Sequence, residues 1–336
     1  MRKIDYFDRY YSQMRAIAKR VDEFHIFYLK GTPMPEWSEI NFHQFKMHRA
    51  PHKVLGVYLS RQKFYKETEK MNPDVYYVLS DSWQMEYIRY CAGKSGKPFV
   101  IRIRGDYRET ENVVKDRFWT RIIRNYLRKK SYKEADLIIP VSEELKEKFL
   151  SWNLNPKVSF VVPSGVDFNK FKPVKKRHDN FTVGFAGRLV PEKGVDMLLE
   201  IAGTLSDMHF IVAGRNLTNV SFPPNVEYLG RIPHDKMSKF YNSIDVLFMP
   251  SKTEGMSLAL LEAYAHQKPV VLSKEAYPKE LPLYGVLCEH TINEYIKALH
   301  QIRDIAPIDI RSKILDYSWD SFGDRIVGLI AHVLER

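Results

Sequence analysis

The sequence predicts an α/β protein made of two doubly wound, Rossmann-like domains. The chain of 336 residues is long enough for two domains that each bury a core. Short apolar runs alternate with helical patterns along its length, which is typical of parallel sheets joined by crossover helices. At residues 163–180 a Pro/Gly turn and a polar, basic stretch interrupt this alternation and indicate a linker between two halves.

The composition indicates a folded protein of a reducing compartment. Hydrophobic residues make up 44% of the chain. No apolar run approaches the roughly 18 residues that suggest a spanning helix. Cys91 and Cys288 lie far apart, so they indicate neither a disulfide framework nor a metal site. Residues 1–6 lack the apolar segment of a signal peptide, and we therefore expect a cytoplasmic location. The net charge of +11 suits an anionic small molecule, an anionic membrane surface or nucleic acid as partner.

Apolar runs and helical periodicity define the elements of the first half. The predicted strands are residues 3–7, 23–29, 41–47, 75–79, 99–103, 137–141 and 158–162. The predicted helices are residues 8–21, 52–70, 83–92, 112–133 and 143–152. Strand and helix follow one another in this half as βαβ units require.

Polar side chains follow two of these strands, at the edge where ligands of such sheets bind. Asp81 follows strand 75–79, and Arg104 and Asp106 follow strand 99–103. One interpretation places all three at the rim of a cleft between the domains. Alternatively, Asp81 caps a helix, and Arg104 and Asp106 form a structural ion pair around a glycine turn.

The helix at residues 112–133 has a distinct charge pattern. Arg121, Arg124 and Arg128 recur at i, i+3 and i+7, so they share a face, which the lysines after them extend. These lysines are Lys129, Lys130 and Lys133, and the apolar residues of the same helix are Phe118, Trp119, Ile122, Ile123, Tyr126 and Leu127. The pattern suits either a solvated face of a core helix or a basic amphipathic surface on anionic lipid headgroups. No nucleic-acid-binding module is recognisable, so we expect no nucleic acid partner.

The second half continues the alternation. Its predicted strands are residues 208–213, 226–229, 245–250, 268–273 and a segment that begins at Phe181. Its predicted helices are residues 195–205, 234–243, 291–303, one from about Met256 and a last one that runs to Arg336.

Two cations flank the turn after the strand that begins at Phe181. Arg188 and Lys193 stand at this turn, which faces the start of helix 195–205, and Gly184 and Gly187 allow close approach of a ligand or a second backbone. A guanidinium fork and a mobile ammonium at a helix start can clamp a pyrophosphate. Alternatively, they are two surface cations that happen to lie near a turn.

Two carboxylates accompany the strand, loop and helix at residues 245–265. Glu254 stands just ahead of the helix start, where the dipole also draws in anions. Glu262 lies on the apolar stripe formed by Leu258, Leu261 and Ala265, where a carboxylate is costly unless a polar group meets it. The two carboxylates either bind hydroxyl groups of a ligand, or Glu254 is an ordinary loop residue and Glu262 pairs with a buried Lys or Arg.

These stretches resemble the retaining glycosyltransferases of the GT-B fold, family 4. Glu254 and Glu262, set in Glu-Gly-Met-Ser-Leu-Ala-Leu-Leu-Glu-Ala, resemble the E-x7-E signature of that family. Residues 187–194 resemble its diphosphate loop, and residues 163–167 resemble its interdomain crossover. The resemblance implies two Rossmann-like domains that face a cleft. It implies an acceptor-binding domain at residues 1–165, a nucleotide-sugar-binding domain at 166–318 and a C-terminal helix at 319–336 that crosses back.

The resemblance also implies roles for individual residues. Arg188 and Lys193 would bind the diphosphate, Glu254 the donor sugar, and Glu262 the ribose. Further donor-binding positions are Gly187, Arg215, Arg231, Ile232, Gly255, Met256, Ser257 and Leu258. The expected catalytic residues are Arg188, Lys193 and Glu254, with Arg104, Asp81 and Asp106 on the acceptor side.

The resulting hypothesis is a hexosyltransferase-type enzyme that transfers a sugar from a nucleotide-diphosphate sugar with retention of configuration. The acceptor would be a glycan, a lipid-linked molecule or a small molecule, and an anionic membrane surface at Arg121, Arg124, Arg128, Lys129 and Lys130 would give a peripheral location on the inner face. No Asp-x-Asp pair is present, so we expect neither a metal nor another cofactor. Before Pro140 the resemblance is weak, because a glycine-rich loop and a His after residue 103 are missing. A non-catalytic nucleotide-sugar-binding or assembly protein of the same fold is therefore the alternative.

Overall fold

The computed structural model describes residues 8–29, 37–45, 53–79, 85–105, 118–152, 160–174, 180–306 and 308–336. The chain divides into two units, one formed by residues 1–163 with 322–336 and the other by residues 164–321. The strands of the first unit are β1 (His25–Leu29), β2 (Asn41–Phe45), β3 (Tyr76–Val78), β4 (Phe99–Ile103) and β5 (Leu137–Pro140). Its helices are α1 (Asp8–Ala18), α2 (Lys53–Glu69), α3 (Met85–Ser95), α4 (Phe118–Glu134) and α5 (Glu143–Leu150).

The second unit carries the longer run of strands. They are β6 (Thr182–Ala186), β7 (His209–Ala213), β8 (Val226–Gly230), β9 (Val246–Met249), β10 (Val270–Ser273) and β11 (Gly285–Cys288). The helices are α6 (Val195–Thr204), α7 (Met237–Asn242), α8 (Leu258–Ala265), α9 (Ile292–Gln301) and α10 (Ile310–Lys313), and α11 (Trp319–Leu334) begins in this unit. Residues 322–336 of α11 belong to the first unit.

The described strands of the first unit form parallel sheets. β1 pairs with β2, and β4 lies between β3 and β5. All residues of β4 and β5 are buried, which fits their continuous apolar sequences. The predicted strand 158–162 is wrong over its described residues, 160–162, which do not form a regular strand. Phe160 and Val162 nevertheless donate backbone hydrogen bonds to the β5 carbonyl groups of Ile138 and Pro140. The predicted strand 3–7 lies outside the described residues.

The sheet of the second unit has the strand order of a dinucleotide-binding fold. Its six strands are all parallel, in the order β11-β10-β9-β6-β7-β8. The strand order therefore reverses between β6 and β9, and ligands of such sheets bind at this switch point, beyond the carboxyl ends of the strands. Strand β11 and helix α10 were not predicted, because each has only four residues and the strand begins at a glycine with φ of 146°.

Helix α8 differs from the amphipathic helix that the sequence predicts. It begins at Leu258 rather than Met256, with Ser257 at its N-cap. All eight of its residues are buried, so the helix is enclosed by the core and does not present one apolar stripe. The predicted helix 234–243 is also split, into a 3₁₀ turn at His234–Lys236 and the short helix α7.

Helix α4 turns its arginine-bearing face toward the interior, although the sequence predicted that this face is basic and exposed. Arg124 and Arg128 are only 9% and 8% exposed. The prediction that these two arginines lie on a membrane-facing surface is therefore wrong. They share the buried face with Ser131 and Tyr132, whereas Arg121 is exposed nearer the helix start. Helical periodicity groups residues on a face, but it cannot say which face packs against the core.

Candidate functional site

The turns after β6, β7 and β8 are joined to one another through their backbones. The Gly187 amide donates to Ala213 O over 2.9 Å, and the Gly214 amide donates to Gly230 O over 2.8 Å. Gly214 has φ of 156°, and a Cβ at this position would lie 1.6 Å from the Gly187 carbonyl oxygen. The close approach brings three turns together, and each carries an exposed arginine just after its glycine. These arginines are Arg188, Arg215 and Arg231.

The two loops that flank the switch point also touch. Gly194 has φ of 70°, and a Cβ on it would lie 1.9 Å from the carbonyl oxygen of Pro250, at the end of β9. The Lys252 amide donates to Glu192 O over 3.0 Å. Only glycine tolerates this conformation and this contact without strain. The loop after β6 is therefore fixed against the loop after β9.

Lys193 and Glu254 meet across this contact. The Lys193 ammonium donates to Glu254 Oε1, and Ser251 Oγ donates to the same oxygen over 3.1 Å. The side chains are 22% and 12% exposed, so the ion pair is largely shielded but still reaches the surface. An ammonium group has three donors, so Lys193 can keep Glu254 and still bind a phosphate oxygen. Arg188 is exposed on the turn that leads to Lys193.

Glu262 lies deeper in the same unit, with an exposed fraction of 3%. Its carboxylate accepts hydrogen bonds of 2.8 Å from His234 Nε2 and from the Tyr241 hydroxyl. The Lys170 ammonium lies 3.0 Å from His234 Nδ1 and can only donate. His234 Nδ1 is therefore the acceptor, and Nε2 carries the hydrogen that it donates to Glu262 in a hydrogen bond. This buried carboxylate has the polar partners that its position requires.

His266 supports the helix turn that carries Glu262. Its Nδ1 donates to the Glu262 carbonyl oxygen over 2.8 Å, and its Nε2 accepts from Ser238 Oγ over 2.8 Å. The ring stacks on Tyr241 with centroids 5.2 Å apart. Burial lowers the pKa of His266 to about 4, so the imidazole is neutral near pH 7.

We expect His266 to make the protein less stable in acid. The native pKa of about 4 lies below the unfolded value of about 6.5. As the pH falls between these values the unfolded chain binds a proton that the native state does not bind. The stabilisation is complete above pH ~6.5 and decreases by roughly 3 kcal/mol as the pH falls to ~4. Urea unfolding at several pH values should show a shallower pH dependence for His266→Gln, and equal slopes for both proteins would contradict this assignment.

The remaining predicted positions fall into three places. Four predicted donor-binding positions lie in the loop after β9 and at the start of α8. Gly255 and Met256 are partly buried, and Ser257 and Leu258 are buried. Ile232, after β8, is partly buried and packs against the core of the second unit. Arg104 is partly buried at the end of β4 in the first unit. Asp81 and Asp106 lie outside the described residues.

Sequence reasoning missed His234, Tyr241 and His266. His266 follows Glu262 by one helical turn, so its position was a usable signal. His234 and Tyr241 lie on a separate turn and helix, and only tertiary packing brings them to the carboxylate. In the part of the chain that the structure describes, no three His, Cys, Asp or Glu side chains could hold a metal ion together. In that part no helix is both long and apolar enough to cross a bilayer.

A parallel sheet with this strand order, and with cations and carboxylates at its switch point, defines a nucleotide-binding class of α/β domain. Residues 180–304 match the family described as glycosyl transferases group 1, and residues 10–170 match glycosyltransferase family 4. The chain belongs to this group 1, family 4 type of glycosyltransferases. The resemblance of the sequence to this family is thereby confirmed.

Individual relatives agree with this family. The GPI3 subunit of phosphatidylinositol N-acetylglucosaminyltransferase from Saccharomyces cerevisiae is 28% identical over 218 residues, which cover 57% of this chain and 46% of that protein. The chain thus spans about half the length of the curated relatives it matches.

Solved structures resemble the chain over most of its length. Sucrose-phosphate synthase from Thermosynechococcus elongatus aligns with a TM-score of 0.78 at 16% identity, over 96% of this chain and 92% of that chain. HepE from Anabaena, in complex with UDP and glucose, aligns with a TM-score of 0.71 at 14% identity, over 96% of both chains. These likenesses confirm the predicted α/β fold of GT-B type.

Proposed function

We propose that the protein is a glycosyltransferase that moves a sugar from a nucleotide-diphosphate sugar to an acceptor with retention of configuration. The observation that carries this proposal is the contact of Lys193 with Glu254 at the switch point. The exposed Arg188 lies on the same turn as Lys193. A cation and a carboxylate side by side suit a ligand that has a diphosphate next to hydroxyl groups. The GPI3 relative is named as an N-acetylglucosaminyltransferase, and HepE was crystallised with UDP and glucose, which supports a nucleotide-sugar donor.

The cations would act on the leaving group. As the bond between the anomeric carbon and the β-phosphate oxygen breaks, its electron pair stays on the phosphate and the negative charge grows. Arg188 and Lys193 would stabilise this charge from fixed positions, which is commonly a large contribution to catalysis. With two cations in place the reaction would need no divalent metal. Glu254 and the backbone amides of residues 255–257 would orient the sugar hydroxyl groups.

The acceptor would bind to the first unit. We propose Arg104, Asp81 and Asp106 as acceptor-side residues, because they follow strands 75–79 and 99–103. The name of the GPI3 relative includes phosphatidylinositol, which favours a lipid acceptor over a glycan or a small molecule. A lipid acceptor resides in a membrane, so an enzyme that uses it would work at the membrane surface as a peripheral protein.

A panel of nucleotide sugars tests the proposal. The intact protein is incubated with each sugar, with and without phosphatidylinositol vesicles, and released nucleoside diphosphate is measured in the presence of a chelator. Release with at least one donor, and faster release with acceptor, is the expected result. Thermal stabilisation by a donor without any release or transfer would instead identify a non-catalytic nucleotide-sugar-binding protein. This stabilisation is measurable, because a ligand at about 100 times its Kd adds about 2.7 kcal/mol to the free energy of unfolding.

Glu262 is expected to hold the ribose of the donor. The carboxylate accepts from His234 and Tyr241, which hold it in place. An ionised carboxylate only accepts hydrogen bonds, so it suits the hydroxyl donors of a ribose. Glu262→Gln should weaken nucleotide affinity by about 1 to 3 kcal/mol, because a charge-assisted hydrogen bond is lost. Calorimetry measures nucleotide affinity for this variant and for Tyr241→Phe, which keeps the Glu262 carboxylate but removes one of its hydrogen-bond donors. The comparison separates the contact with the ribose from the hydrogen bond that holds Glu262 in place. Wild-type affinity in Glu262→Gln would refute the ribose role.

A further inference from the structure

One face of helix α4 exposes large apolar side chains. Trp119 is 72% exposed and Tyr126 is 64% exposed, and Ile122 and Ile123 between them are 44% and 47% exposed. The four positions are spaced i, i+3, i+4 and i+7, so they form one continuous stripe, which we call the α4 stripe. Isolated exposed apolar residues are common, but a contiguous patch of this kind marks an interaction surface.

The same face becomes cationic farther along the helix. Lys129 and Lys133 are exposed, and Lys130 is partly exposed with its ammonium 3.9 Å from Glu134. Residues 118–133 contain no Asp or Glu. Glu134 itself pairs with Arg89. One side of α4 therefore offers about two turns of apolar surface, followed by the positive charge of these three lysines.

This combination selects the partner. A second copy of the chain would bring the same lysines to the interface and no carboxylate from residues 118–133 to neutralise them, so its charge would not be complementary. An anionic bilayer offers both components: acyl chains for the isoleucines, a headgroup region that favours Trp and Tyr, and negative charge for the lysines. The chain as a whole also carries a net charge of +11.

We propose that α4 docks on the surface of an anionic lipid bilayer, lying in its plane with the α4 stripe inserted among the headgroups. The lysines of the last two turns would contact anionic headgroups, and each such cation strengthens binding by about fivefold near a charged membrane. The buried Arg124 and Arg128 take no part. This inference does not depend on the proposed glycosyl transfer.

Sedimentation with vesicles tests the proposal on the intact protein. Vesicles of phosphatidylcholine with about one third phosphatidylserine are compared with pure phosphatidylcholine at physiological ionic strength, where surface charge is already partly screened. The wild type should sediment with the anionic vesicles only. Ile122→Ser with Ile123→Ser should weaken binding at least tenfold. Lys129→Gln with Lys133→Gln should weaken it about twenty-fivefold, because two fivefold contributions are lost.

Matched variants and one further measurement complete the test. The control variants are Leu315→Ser and Lys297→Gln, which replace exposed residues of the second unit. The side chain of Leu315 is 54% exposed, and Lys297 is an exposed lysine, so neither change should affect vesicle binding. The indole emission should shift to the blue on anionic vesicles, and Trp119→Phe should lose this shift. Thermal unfolding serves as the folding control, and each variant should keep the midpoint of the wild type. A wild type that does not sediment, a loss equal in the control variants, or a dimer that the serine variants dissociate would each overturn the proposal.

Discussion

Replacing Arg188 or Lys193 by alanine is expected to lower turnover about a hundredfold or more while the protein remains folded. Both cations stand at the turn after β6, where the diphosphate charge would grow. Arg188 is exposed, so its loss leaves no buried group without a partner. Loss of Lys193 removes the cation from Glu254, but Ser251 still donates to that carboxylate over 3.1 Å. Fold and catalysis are therefore separable at these positions.

The measurement is the turnover number for nucleoside diphosphate release, with thermal unfolding recorded for each variant. Lys252→Ala is the matched control, since this lysine is exposed in the loop that carries Glu254 and its side chain has no part in the proposed clamp. We expect wild-type turnover from the control. Full turnover in both single variants would show that the growing charge is stabilised elsewhere.

Gly194→Ala is expected to damage both stability and activity. The backbone at Gly194 has φ of 70°, and the new methyl group would lie 1.9 Å from Pro250 O. No side chain can yield here, because the clash is with backbone, so the loop after β6 must move away from β9. We expect a loss of roughly 3 kcal/mol or more in the free energy of unfolding, in line with strained and overpacked positions. Lys193 would move with its loop and separate from Glu254, so turnover should fall about as far as in Lys193→Ala.

Gly203→Ala provides the comparison. This glycine lies in the adjacent helix α6, and a Cβ there meets nothing within 4 Å. Alanine at this position should leave activity unchanged and raise stability by up to about 1 kcal/mol. Denaturant unfolding and turnover measured on both variants test the argument. If Gly194→Ala behaved like Gly203→Ala, the contact between the two loops would not be what holds the site together.

The sequence contained enough information for most of the fold. The strand at residues 99–103 and the strands around residues 181, 208, 226, 245 and 268 were predicted because buried parallel strands read as continuous apolar runs. The misses have physical causes. Strand β11 has four residues at the end of the sheet, and residues 160–162 run beside β5 without completing a strand. On α4 the long arginine side chains could cover apolar surface, so composition did not show which face would pack.

The candidate site was predictable in part. Lys193 and Glu254 were expected to serve one ligand, and the structure places their charged groups in contact. The two side chains meet because both residues follow strands of one parallel sheet, whose carboxyl ends share an edge. Their role toward a ligand stays a prediction. The support of Glu262 was not predictable, because His234 and Tyr241 precede it by 28 and 21 residues and reach it only through packing.

The central claim is that Arg188 and Lys193 together hold the diphosphate of a nucleotide. Its most direct test is calorimetric titration of uridine, guanosine and adenosine diphosphates into the wild type and into the double variant Arg188→Ala with Lys193→Ala. We predict that at least one diphosphate binds the wild type at one site per chain. In the double variant its affinity should fall at least a hundredfold, because two charge-assisted contacts are lost and each is worth about 1.5 to 3 kcal/mol. Equal affinity in the two proteins, or no diphosphate binding by the wild type, would contradict the claim.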